Sequence, residues 1–483
     1  MKVLFFITLF FTQSLWANHP RDQWLSLEQV HQDTNLAKSA YQRIHPGYDR
    51  YTDNEELNQA WQNIMLNAEK NQGMRLADFY LQLSETLALI RCDHTKAELP
   101  KKMADARETT PVYLPFQWQM IEDQMVVLNA TVQSGLKPGN VISQINGTPV
   151  KQRIKQLYKY VPTDGFNDHS KINAIAASSE HRGGAMDHFG ALLWDTQPQV
   201  NITYLDLLGK SQTKTIQRIV YKDWKNLSKN KTRNFIDAVN YQQLNNSTGY
   251  LKIDTFVNYR NPIKPDKLYD PIFKQLQNNT TANLILDLRQ NGGGSNEPYH
   301  RLLAHLMNKP FRPAKDVRIN TLNLEGFKKH IFTWEKRALN PKASRFNQNN
   351  DGSYSFKANV LDDTKWIKPD KTAFNGRLIV LTSRNNSSGS INLMSTLKSR
   401  PNTTFVGEKT GGSVEGPTAG VLFFLKLPES GITTRIPVFR YYNDVESFEH
   451  GAGITPDILV KQSKNDLISG TDTSLQAALK LTK

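Results

Sequence analysis

The sequence predicts a mixed α/β protein in three parts: a helical N-terminal region, a small β-rich module, and an α/β unit built around a serine turn. Three observations lead there. Apolar residues recur three and four apart through DQWLSLEQVHQDTNLAKSAYQRI, NEELNQAWQNIMLNAEK and MRLADFYLQLSETLALIRC, the spacing of one helix face. Short alternating strands, punctuated by Gly135, Pro138-Gly139 and Asn146-Gly147, fill the stretch from Pro111 to Val150. Two apolar, β-branched runs, NLILDLRQ and RLIVLTS, each pass through a turn into a helix-like segment, as strands of an α/β layer do.

The 483 residues exceed one ordinary core. Residues 1–17, MKVLFFITLFFTQSLWA, have an early lysine, a short apolar stretch and a final alanine, the pattern of a secretory signal peptide. The mature chain is expected to be exported, either periplasmic or secreted. No later stretch is apolar for 18 residues, so no transmembrane anchor is expected. Cys92 is the single cysteine, which leaves no internal disulfide and no cysteine-rich metal site. The formal charge of +15 falls to +14 once Lys2 leaves, and its basic residues are interrupted by acids. That describes a solvated basic surface rather than a nucleic-acid groove.

In chain order, the helical region is expected over 18–108, with Pro46-Gly47 separating its first two helices. It closes in RCDHTKAELP, where His94 falls at a helix end or in a loop. The β-rich module follows over 109–222 and could take up an extended chain at a sheet edge. Polar residues 223–246 read as a strand-poor linker, and 247–483 form the last unit. Within it, 310–375 read as an insertion over a cleft or a peripheral hairpin. VLFFLKL and TTRIPVFRYY read as a hairpin joined by PESGI.

The chemistry concentrates in two loops. Asn291-Gly292-Gly293-Gly294 follows a strand and can expose amides to an anion. Its spacing is neither a dinucleotide fingerprint nor a phosphate loop. In RLIVLTSRNNSSGSINLMSTLKS a strand turns sharply into a helix, where a serine is exposed and the first helix amides are unpaired. Ser387, Ser388 and Ser390 read equally as turn and cap residues there. Ser395-Thr396-Leu397-Lys398 and Lys409-Thr410-Gly411 mimic penicillin-site motifs but stand too close together for that architecture.

With DHT at 93–95, LKPGNVISQINGTPV, LILDLRQNGGG, VLTSRNNSSGS, FVGEKTGG and GITPDI at 453–458 following one another in this order, the chain resembles the C-terminal-processing (tail-specific) serine peptidases. It is nearer their tricorn-core-like and retinoid-binding-protein-like branch. The resemblance spans roughly 85–460 and implies a crotonase-like ββα protease core, a PDZ-like module and a peptide or unfolded-protein substrate. It implies no cofactor and no metal, and says nothing of adaptors or self-association. Ser388 matches the nucleophile, with Ser387 the alternative. Gly389 stands where the family usually has alanine. Gly389 and Gly293 match the oxyanion donors. The processing-protease branch has a lysine where this chain has Ser413, so the resemblance passes the base role to His94. Glu449 matches the acidic partner, with Glu446 the alternative. A competing expectation is a catalytically inactive peptide- or lipid-binding envelope protein on the same scaffold.

Overall fold

A computed structural model describes residues 20–177, 181–194, 197–228 and 234–483. The expected signal peptide lies outside the described residues. Helices Leu27–Ile44, Asn54–Asn71 and Leu76–Ala88 occupy the N-terminal part. Ser26 closes the first with a capping box to Gln29, and Asp53 caps the second, each satisfying amides that the first turn leaves unpaired. Val30, Ala37, Tyr41 and Ile44 bury one face of the first helix.

The β-rich part is an antiparallel sheet ordered Phe116–Ile121, Gln124–Ala130, Val141–Ile145, Gln199–Leu205, Ser211–Gln217. Asn146 and Gly147 both have positive φ, 49° and 72°, which the tight two-residue turn to Thr148–Pro149 requires.

Residues from 239 onward carry a six-stranded sheet ordered Val239–Asn245, Thr248–Ile253, Asn283–Asp287, Arg377–Thr382, Thr403–Gly407, Ile458–Leu459. Its first pair is antiparallel and the remainder parallel. Strand Val239–Asn245 lies inside the stretch read as a strand-poor linker. Its polar VNYQQLN composition suits an edge strand and hides it from an apolar-run search. The two central strands are buried on both faces. Alternate residues feed two cores: Leu284, Leu286, Leu378 and Val380 pack among helices, while Ile285, Ile379 and Leu381 meet Ala478 of the final helix. Each such aliphatic side chain contributes about 1.5–3 kcal/mol by burial.

A second sheet holds the expected hairpin, Thr418–Lys426 with Thr433–Asn443, flanked by Ile331–Phe332 on one side and Ala314–Ile319, Tyr354–Phe356 and Phe346–Gln348 on the other. The 310–375 stretch thus completes a sheet. Strand Lys96–Glu98 adds to the same hairpin, Lys96 pairing with Arg435. Among the described residues no helix is long and apolar enough to cross a membrane.

Candidate active site

Parallel strands Asn283–Asp287 and Arg377–Thr382 end side by side, Asp287 opposite Leu381. Their outgoing loops therefore meet at the carboxyl edge of the sheet, where α/β layers bind ligands. One loop is the glycine run, the other the serine turn. Asn386, fully buried, ties them: its Nδ2 donates to Leu288 O at 2.6 Å and Asn291 O at 3.0 Å, and its Oδ1 accepts from Ser383 N at 2.8 Å. From the other side, the Gly411 and Gly412 amides both donate to Asn386 O. A Cβ on Gly412 would stand 2.8 Å from Ser387 Cα, so this glycine permits the contact.

Ser387 is extended and Ser388 has φ +50°, opening helix Ser388–Leu397. A left-handed non-glycine residue costs about 1–3 kcal/mol, and this one aims its side chain out of the turn. The Gly389 amide donates to no carbonyl among the described residues. An alanine there would bring its Cβ within 3.2 Å of Tyr299 Cδ1, a physical reason for the family's alanine being glycine in this chain.

The glycine loop departs from expectation. Gly293 N donates to Asn291 Oδ1 at 2.8 Å, so the expected Gly293 donor is already spent. The neighbouring Gly294 amide has no acceptor among the described residues, and its N lies 3.5 Å from where a Gly389 Cβ would project. Gly294 has φ +140°, and a Cβ there would be 2.3 Å from Phe256 C. Only glycine fits.

Ser388, Gly389, Gly292–Gly294 and His94 line one cleft of about 1000 Å³. The bulged hairpin residues Gly420, Val421 and Leu422 form its facing wall, with Arg435 and Phe439. Ser387 is not among the lining residues; its Oγ donates to the Gly292 carbonyl at 3.3 Å. Ser395 is buried against Val414 O and Lys398 is exposed, so the penicillin-like motif assembles nothing.

His94 reaches the cleft because Lys96–Glu98, two residues on, is sewn into the hairpin. Thr95 anchors the turn from behind. His45 Nδ1 accepts from Gly47 N, so its Nε2–H donates to Thr95 Oγ1 at 2.9 Å. His94 Nδ1 sits 2.6 Å from an oxygen of Asp93. Burial works against the imidazolium, but the Asp93 carboxylate outweighs it and holds His94 up at about 10. Burial would likewise raise Asp93; His94, Lys96 and the Ser387 hydroxyl outweigh it and hold Asp93 near 2. The pair is an ion pair at neutral pH.

Neither Glu449 nor Glu446 joins this group. Both are exposed, and neither lines the cleft. In the segment before Gly453 it is His450 that reaches a buried carboxylate, its Nδ1 3.1 Å from Glu415 while the ring itself stays exposed. Glu415 also accepts from Arg50, Tyr51, Ser413 and Gly451 N. Ser413, at the position where the related branch has lysine, is fully buried and donates its amide to Asp164. Burial, then the nearby Asp93 charge, lift Asp164 to about 7. Sequence reasoning missed Asp93, Asp164 and Lys96. Lys96 is lowered to about 8, first by burial and then by Arg435. Only its nearness to DHT could have flagged it.

Residues 247–460 match the family model described as Peptidase family S41. In fold the chain is similar to mature CPAF complexed with lactacystin, at 14% identity over 95% of this chain and 98% of that one, with a TM-score of 0.62. It is likewise similar to a serine-to-alanine mutant of CPAF, at 14% identity over 95% and 97%, TM-score 0.64. A photosystem II D1 C-terminal processing protease aligns at 16% identity over 90% and 93%, TM-score 0.42. No curated protein gives a significant match.

Proposed function

We propose that the chain is a serine-type peptidase of the S41 kind, the tail-specific or C-terminal-processing peptidases whose family model matches residues 247–460, and that it is an endopeptidase of exported proteins or peptides working through a Ser388 acyl-enzyme. One observation carries this reading: Ser388 heads a helix at φ +50°, beside two amides with no acceptor among the described residues, in a cleft that His94 also lines.

In this reading Ser388 Oγ attacks the peptide carbonyl carbon while His94 takes its proton. The Gly389 and Gly294 amides receive the oxyanion, a contribution of about 3–4 kcal/mol for each well-placed donor. His94 then protonates the departing amine, and water repeats the sequence on the ester. Asp93, touching His94 Nδ1, takes the role expected of Glu449. The same carboxylate makes His94 a reluctant base at neutral pH, so activity rises on the alkaline side. The catalytic unit would be the crotonase-like core over 247–483, and the 109–222 part a PDZ-like module presenting an extended peptide.

The test is a fluorophosphonate probe on the mature protein, mapped by peptide mass spectrometry beside Ser388→Ala and His94→Ala. Label on Ser388 that is lost in both variants is the expected result. An unlabelled, well-folded protein at pH 9 would favour the inactive-scaffold alternative. Label that survives His94→Ala would transfer the base role to Lys96.

A further inference from the structure

Helices Asp266–Asn278 and Asn296–Leu306 pack against each other, and the second also packs on the helix that Ser388 opens. Asp266 and Asp270 share a face of the first, being four residues apart, and His305 ends the second. One ligand atom from each of the three lies within 4.8 Å of the others.

The histidine is the informative member. Thr372 Oγ1 stands 2.9 Å from Asp370 Oδ1 and 3.2 Å from His305 Nδ1. The hydroxyl has one proton and the carboxylate can only accept it. Thr372 therefore donates to Asp370 and accepts from His305 Nδ1–H, which in the neutral imidazole leaves the lone pair on Nε2. The ring is fully buried and stacked on Phe273, with centroids 4.5 Å apart and planes 9° apart, so it cannot turn away. Its Nε2 has no hydrogen-bond partner, yet it faces Asp270 Oδ1 at 3.3 Å. A lone pair held against a carboxylate is repulsive unless a cation lies between them. The spacing is also the edge of a tetrahedron whose ligands sit roughly 2.0–2.1 Å from a central ion.

We propose that Asp266, Asp270 and His305 form a site for a divalent transition-metal ion, with zinc the best fit. One imidazole and two carboxylates favour a first-row ion of this kind over calcium, which takes six or more oxygens. The Nδ1–H to hydroxyl to carboxylate chain orients the histidine as outer partners orient metal-bound imidazoles. Arg301 donates to Asp266 Oδ1, and the ion takes that carboxylate's remaining lone pairs. Both aspartate side chains are 44% exposed, so the ion enters from solvent and water completes its shell. Helix Asn296–Leu306 begins beside Gly294, and the ion clamps its far end.

The experiment uses the full mature chain stripped with EDTA, carrying His94→Ala to remove the Cys92, Asp93 and His94 group as a second zinc site. Zinc binding is titrated calorimetrically, and retained zinc is counted after gel filtration. One zinc per chain is expected, with a rise of several degrees in Tm at saturating zinc, on the order set by ligand linkage. Adding Asp270→Asn should weaken binding by at least roughly tenfold and abolish the shift, while the zinc-free Tm stays close to its parent's. Absence of retained zinc in the His94→Ala protein would overturn the proposal. So would equal zinc affinity with and without Asp270→Asn.

Discussion

On the serine wall of the cleft, Ser388 and the glycine loop hang from the ends of two buried parallel strands, and one side chain, Asn386, laces both loops together. On the histidine wall, His94 hangs from a three-residue strand added to a hairpin more than 300 residues away in sequence, steadied by His45 and Thr95. The serine wall is rigid by local design: short connections, buried amides, and glycines that nothing else can replace. The histidine wall is rigid by docking, and its electrostatics are shared among Asp93, Lys96, Asp164 and Arg435. Geometry is thus set on one side and protonation on the other.

The sharpest break comes from the serine wall. Ser388→Ala should lower kcat by roughly 10⁴-fold or more with an unchanged melting curve, while Ser387→Ala, measured on the same peptide substrate, keeps most of the activity. Asn386→Ala should follow, since it leaves buried carbonyls and the Ser383 amide unsatisfied. A loss of about 2–4 kcal/mol is expected in urea unfolding, with kcat falling more than KM rises as the two loops separate.

On the histidine wall the effect should be on pH dependence rather than on fold. Asp93→Asn removes the charge that raises His94, so the rising limb of kcat/KM should move down by more than one unit, towards the ordinary histidine value. The stability sign can be worked out for the pair. His94 is raised from 6.5 to about 10, so its contribution is complete below pH 6.5 and is lost as pH climbs through 10. Asp93 is lowered from 3.8 to about 2, so its contribution is complete above pH 3.8 and is lost as pH falls through 2. Urea midpoints taken at pH 6 and pH 10 should differ in the parent and converge in Asp93→Asn. The smallest effect belongs to Glu449→Gln, an exposed change expected to leave kcat/KM within about twofold. A large loss there would mean that the working enzyme brings Glu449 to His94.

Much of the serine wall was legible beforehand because its signals are contiguous: an apolar run, a turn and a helix within twenty residues. The choice between Gly293 and Gly294 was not, since both follow the same strand and only the Asn291 side chain decides which amide stays free. Glu449 illustrates the opposite difficulty. Its place before Gly453 matched the expected acid, but the local turn leaves Glu449 in solvent, and only the neighbouring, exposed His450 touches buried Glu415. The edge strand Val239–Asn245 escaped notice because an edge needs no apolar run.

The sequence by itself determined the elements whose physics is local: helix faces from apolar spacing, parallel strands from buried β-branched runs, and a strained turn from serine and glycine chemistry. Tertiary structure alone decided what depends on burial and approach between distant segments. It set which carboxylate charges His94, which glycine amide remains unpaired, and that Asp266, Asp270 and His305 converge. Those outcomes turn on ångström distances and on desolvation, and neither is written in the order of residues along the chain.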